Sequence, residues 1–201
     1  AQQHRLYLIE DAAEVLGQTY QRKPCGSFGD ISTFSFYPNK QVTTGEGGMV
    51  LTNAPWLAER GRSLMNLCFQ NEKRFVHEEL GWNYRMSNLQ AAVGVAQMER
   101  LDETIKRKRE IGQRYNELLG SIENIQLPMV SNKSAENIYW VYGIVLADDF
   151  KLDASQLMSV LGKEGIGTRP FFWPMHKQPV FEKMGLFNKD SHPVSERIAK
   201  N

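Results

Sequence analysis

Ser32-Thr33-Phe34-Ser35-Phe36-Tyr37-Pro38-Asn39-Lys40, running on into Gln41-Val42-Thr43-Thr44-Gly45-Glu46-Gly47-Gly48, is the stretch whose reading decides the fold. Its first half is aromatic and β-prone, so it predicts a strand over Ile31 to Tyr37. Its second half is small, hydroxylated and glycine-rich, which lets a backbone approach a ligand closely. Lys40 stands at the junction. A lysine amine becomes a nucleophile toward carbonyls or an aldehyde cofactor when its surroundings allow the neutral form. Read locally, Lys40 beside a glycine turn is more readily an ordinary surface lysine.

Toward the N-terminus, Leu6-Tyr7-Leu8-Ile9 is a continuous apolar run, as in a parallel strand buried on both faces. It ends in Glu10-Asp11, at the carboxyl end of the strand, where α/β sheets place their ligands. Asp11 is also a fair helix N-cap for a short helix over Ala12 to Gly17. Toward the C-terminus, Met49 to Thr52 predicts a strand and Asn53-Ala54-Pro55 caps a helix from Trp56 to Asn66. Short apolar strands alternating with helices favour an α/β fold with a mainly parallel sheet.

Gly81 to Asn88 reads as a polar, aromatic loop ending in an N-cap at Ser87 or Asn88. From Leu89, apolar residues at helical spacing predict one long helix to Leu119, bent near Lys106-Arg107-Lys108-Arg109 or near Gly112. A boundary near Ile105 divides the chain into 1–105 and 106–201, the second a small α+β domain. There Ile138 to Leu146 predicts a strand, Asp153 opens a helix closed by Gly165, and Ile166 to Phe172 predicts a returning strand.

Composition sets outer bounds. The 201 residues are 41% hydrophobic, enough for a core, and carry 24 basic against 23 acidic residues for a net charge of +1. That balance gives no reason to expect a nucleic-acid partner. Cys25 and Cys68 fit neither a disulfide scaffold nor a metal site, so no metal and a reducing cytoplasm are expected. No apolar run approaches the roughly 20 residues that cross a bilayer, so no membrane partner is expected.

Ile9-Glu10-Asp11-Ala12-Ala13-Glu14, Gly26-Ser27-Phe28-Gly29-Asp30, Phe34 to Lys40 with Thr44-Gly45-Glu46-Gly47-Gly48, and Asn83-Tyr84-Arg85-Met86-Ser87-Asn88 occur in an order that closely resembles the DegT/DnrJ/StrS-type sugar-nucleotide aminotransferases. The resemblance covers nearly the whole chain. It implies the fold-type I, aspartate-aminotransferase-like architecture and pyridoxal 5′-phosphate as cofactor. Lys40 is then the lysine that tethers the cofactor, and Asp11 the carboxylate that pairs with its pyridine nitrogen. Ser35 is a phosphate ligand, and Asn83 a phosphate ligand donated by a neighbouring subunit, so that a homodimer shares its active sites. Without the resemblance, Ser35 is a plain strand serine, and Asn83 and Arg85 belong to loop structure and a salt bridge.

The segment Thr168 to Pro179 offers Arg169, His176 and several aromatics, a surface suited to a nucleotide sugar; it reads equally as a packed aromatic loop. Its wording is similar to that of family members that aminate C4 of GDP-4-keto-6-deoxymannose, with glutamate as donor, for a surface polysaccharide. UDP- or dTDP-linked keto sugars, or a non-catalytic fragment, are the alternatives. The family's sugar dehydratases carry histidine where Lys40 stands. Because members of the family have roughly as many residues again before Leu6, the chain is expected to be a C-terminal portion.

Overall fold

The computed structural model describes residues 1–69, 72–73, 75–187 and 189–201. The chain forms two compact units: Ala1–Gln113 with Met129–Trp140, and Arg114–Pro128 with Val141–Asn201.

Unit 1 is built on a three-stranded sheet of β1 (Ile9–Asp11), β4 (Ile31–Ser35) and β5 (Gly48–Leu51), in the order β1-β4-β5. β1 and β4 run parallel, with Asp11 opposite Thr33, while β5 returns antiparallel to β4. The sheet is therefore mixed where a mainly parallel one was expected. The connection from Phe36 to Gly47 contains no crossover helix, and without one a neighbouring strand can only return antiparallel. Between β1 and β4 lies a hairpin of β2 (Thr19–Tyr20) and β3 (Lys23–Pro24), turned by Gln21 and Arg22, both at positive φ.

The apolar run Leu6 to Ile9 does not form the doubly buried strand its composition suggests. Pairing starts only at Ile9, and Leu6, Tyr7, Leu8 and Ile9 are all exposed. The Trp56 ring meets Tyr7 edge-on but leaves it exposed, so the hydrophobicity of the run reports a surface rather than this unit's own core. The core itself gathers Ala12, Phe36, Val42, Ile105, Ile138 and Tyr139. Ala12 to Gly17 forms successive turns instead of a helix, with Val15 N–H on the Ala12 carbonyl and Gln18 N–H on the Val15 carbonyl.

Three helices follow: α1 (Pro55–Met65), α2 (Asn88–Met98) and α3 (Leu101–Leu119). Pro55 occupies the start of α1, where its missing N–H costs nothing. Ser87 caps α2 in a capping box with Gln90. The expected single helix is broken between α2 and α3 rather than at the basic run or at Gly112. There Arg100 N–H bonds to the Gln97 carbonyl, a three-residue step that ends the α-helical ladder. No Gly or Pro marks the place. Gln97 is instead engaged through its side chain, which accepts from Thr43 N–H at 2.9 Å.

In unit 2, β6 (Ile125–Gln126) pairs antiparallel with β7 (Val145–Leu146), and α4 (Ala154–Lys163), α5 (Pro179–Lys183) and α6 (Pro193–Lys200) follow. Asp153 caps α4 in a second capping box with Gln156. Gly165, at φ +77°, ends it while Ile166 N–H reaches back to the Leu161 carbonyl. Two predicted strands are largely absent. Of Ile138 to Leu146 only Val145–Leu146 is paired, because Tyr139 takes a positive φ of 49° and its ring packs in unit 1. Ile166 to Phe172 has no regular structure: β-propensity needs a neighbouring strand to satisfy it.

Gly112 on α3 fixes where Tyr139 can lie, since a Cβ there would stand 2.5 Å from Cγ of the ring. Gly→Ala inside a helix ordinarily stabilises by about 1 kcal/mol. Here the overlap reverses the sign, and Gly112→Ala should lower unfolding stability by about 1–3 kcal/mol in chemical denaturation.

Candidate active site

The parallel register of β1 on β4 puts Asp11, Ser35 and the turn carrying Lys40 at the carboxyl ends of adjacent strands. After Ser35 the chain turns, with Lys40 N–H on the Tyr37 carbonyl. The following loop is tied down from within: Thr44 N–H and the Thr43 hydroxyl both donate to the Phe36 carbonyl, and Phe36 N–H donates to that of Gly47. Gln90 Nε2 adds a bond to the Glu46 carbonyl.

The Lys40 side chain is only 8% exposed. Its Nζ lies 2.7 Å from Glu14 Oε1 and 3.9 Å from the centre of the Trp140 ring. A buried ammonium needs such partners, because burial without them costs several kcal/mol, on the order of 2–7 for a polar group. Gln41, the next residue, gives Nε2 to the Glu14 carbonyl oxygen, whereas its own Oε1 is buried with no partner among the described residues. Asp11 Oδ1 accepts from Ala13 N–H at 3.1 Å, and among the described residues its carboxylate has no cationic partner. Ser35 Oγ accepts from Tyr37 N–H at 3.3 Å, which leaves its own proton to donate.

The motif Gly26 to Asp30 is structural here. Glu10 Oε2 accepts from Phe28 N–H at 2.9 Å and Gly29 N–H at 3.3 Å, and Oε1 accepts from Gly26 N–H. Asp30 Oδ2 accepts from Leu8 N–H at 2.7 Å. Together these carboxylates pin the loop to the strand that delivers Asp11. Burial alone would push the Glu10 carboxyl up, but the three backbone donors and Lys23 outweigh it and hold it below the ordinary value.

Asn83 is exposed on its loop, in an isolated antiparallel bridge with Asn66. In unit 2, Arg169 is exposed, but the imidazole expected beside it at the surface is turned inward. His176 is buried, with Nε2 2.8 Å from Glu196 Oε1 and its ring edge-on to His192. The bond from His176, then that from His192 N–H, holds the Glu196 carboxyl below its usual range. That pair satisfies the imidazole within unit 2, so His176 anchors the segment while Phe172 and Trp173 stay exposed.

Sequence reasoning gives Glu14 no role and reads Trp140 only as part of a strand. The signal for Glu14 is its place three residues after Asp11, one turn's reach along the same rim. Nothing local points to Trp140. A groove of about 470 Å³ between Gly17 and Asp102, Ile105, Arg109 and Gln113 holds none of the expected site residues.

Comparison with solved structures gives the fold its class: 98% of the chain matches a Helicobacter pylori aminotransferase, PseC, with a TM-score of 0.89 at 24% identity, over 53% of that chain. The two share an α/β fold. Residues 1–201 match the DegT/DnrJ/EryC1/StrS aminotransferase family, and the chain belongs to that family, whose members depend on pyridoxal phosphate. It is 43% identical over 197 residues to the GDP-perosamine synthase of Vibrio cholerae, covering 96% of this chain and 52% of that one. With the enzyme of the same name from Caulobacter vibrioides it shares 40% over 182 residues, 90% of this chain and 49% of the other. The chain spans about half the length of these curated relatives. Among the described residues no helix is long and apolar enough to cross a membrane, and no cluster could hold a metal.

Because the Glu10 carboxyl sits below its ordinary value of 4.5, its stabilisation is complete above that value and is lost as pH falls through the folded-state value. Glu10→Gln should therefore be less stable near neutral pH yet lose less on acidification from about pH 6 to about pH 3. Urea midpoints measured across that range check the crossing slopes.

Proposed function

We propose that this chain forms the lysine-bearing part of a pyridoxal-phosphate aminotransferase that moves an amino group from glutamate to the C4 ketone of GDP-4-keto-6-deoxymannose, giving GDP-perosamine for a surface polysaccharide. The observation that carries the reading is the nearly buried Lys40 amine at the carboxyl end of β4, beside the strand that ends in Asp11. Identity to the V. cholerae enzyme supports the choice of substrate. Unit 1 corresponds to part of a fold-type I large domain and unit 2 to a small C-terminal domain.

The donor set fits the cofactor. Lys40 is an amine for its aldehyde, Asp11 an acceptor with one oxygen still open, and Ser35 a hydroxyl with a proton to give a phosphate. The exposed Asn83 suits donation of its amide to the phosphate in a second copy of a homodimer. When bound, the cofactor supplies an electron sink that makes the carbon bearing the amino group acidic. Asp11 would keep the ring nitrogen protonated, the condition for that sink. Lys40, as a free amine, would carry the proton between substrate and cofactor carbons. Arg169 would meet the diphosphate of the sugar nucleotide, on a segment that His176 and Glu196 hold in place.

Ile9 and Val50 on one face of the sheet, and Met49 and Leu51 on the other, are exposed apolar residues that further chain of a larger protein would cover.

In the whole protein, Lys40→Ala should abolish borohydride-fixed pyridoxal phosphate and lower amination by at least about 100-fold. Turnover at the parent rate would sink the assignment. GDP-, UDP- and dTDP-linked 4-keto sugars assayed side by side with glutamate should rank the GDP sugar first in kcat/KM, and a better UDP or dTDP substrate would reassign the specificity.

A further inference from the structure

The Lys40 amine is held from two directions by groups to which no role has been given. Glu14 Oε1 makes the ion pair at 2.7 Å from a side chain 43% exposed, so its carboxylate is open to solvent. The Trp140 ring closes the other side at 3.9 Å. Its position is fixed at both ends. Indole Nε1 donates to the Asn39 carbonyl at 3.2 Å, and the Trp140 carbonyl accepts from Lys108 Nζ at 3.2 Å. The segment leading to it is held in turn by Arg109 Nε on the Asn137 carbonyl and Gln18 Nε2 on the Glu136 carbonyl. Thus α3 sets where the indole face meets the ammonium.

We propose that Glu14 and Trp140 clamp the Lys40 amine, Glu14 being the proton acceptor that frees it for pyridoxal phosphate and Trp140 a positioning residue that aims it. The inference rests on the assignment of Lys40 as the cofactor lysine. Glu14 takes one proton from Nζ, whose electron pair then bonds to the aldehyde carbon. The same carboxyl returns that proton to the departing oxygen. A second hydrogen from nitrogen completes the water that leaves, and the nitrogen keeps one hydrogen, its positive charge and a double bond to carbon. No oxidant or further reactant is needed. Glu14 ends as the carboxylate it began as. Trp140 keeps the amine on this line, since an ammonium over an indole face is attracted by the ring quadrupole.

The test is the rate at which the whole protein, stripped of cofactor, takes up pyridoxal phosphate, read by visible absorbance and by tryptophan emission. Glu14→Gln should load at least about tenfold more slowly, and Glu14→Asp should restore much of the rate. Trp140→Leu should slow loading about threefold and remove most of the emission change, whereas Trp140→Phe, which keeps a ring face, should load near the parent rate. Loading by Glu14→Gln within about twofold of the parent overturns the clamp, provided borohydride still fixes the label on Lys40. Equal slowing by Gln and Asp at position 14 also overturns it, because a carboxylate is then not what matters. If the parent carries its label elsewhere than Lys40, the assignment of the cofactor lysine fails and the clamp fails with it.

Discussion

The site depends on one pairing, the parallel register of Ile9 to Asp11 on Ile31 to Thr33. Parallel strands present their carboxyl ends on the same side, so this short ladder alone brings Asp11 to the rim from which the chain turns toward Lys40. The ladder is only three residues long. It is reinforced from outside by Glu10, gripping the Gly26 to Gly29 loop through backbone N–H groups, and by Asp30, gripping Leu8. Carboxylates otherwise suggestive of chemistry thus serve to hold the strand that ends in Asp11.

Around Lys40 the same logic continues at closer range. A nearly buried amine cannot be left without partners, and the fold provides a carboxylate and an aromatic face from segments remote in sequence. Glu14 comes from the turn after β1, and Trp140 from a segment that α3 draws into unit 1. In unit 2, His176 and Glu196 satisfy each other while Arg169 is exposed.

Local chemistry made several elements legible. Ser87 and Asp153 each stand three residues before a glutamine, and both close capping boxes as that spacing demands. Pro55 and Gly165 mark helix ends for reasons of backbone geometry alone. What could not be read was set by tertiary pairing. Ile138 to Leu146 and Ile166 to Phe172 have strand composition but find little or no partner, while the break near Gln97 occurs where no residue resists helix. Leu6 to Ile9 advertises burial that these residues do not provide. At the site, the motifs located Asp11, Ser35 and Lys40 in sequence, but only the folded chain shows Trp140 against the amine, since that contact spans segments with no shared pattern.

Gln90 joins two jobs in one amide. Its oxygen accepts from Ser87 N–H to close the cap of α2, and its nitrogen reaches the Glu46 carbonyl in the glycine loop. Glutamate would serve the first task equally well but has no N–H for the second. The two residue types usually treated as equivalents in a helix cap are therefore not equivalents here. The first turn of a helix doubles as a strut for the loop after Lys40, and a substitution that looks harmless to the helix would be felt beside the amine.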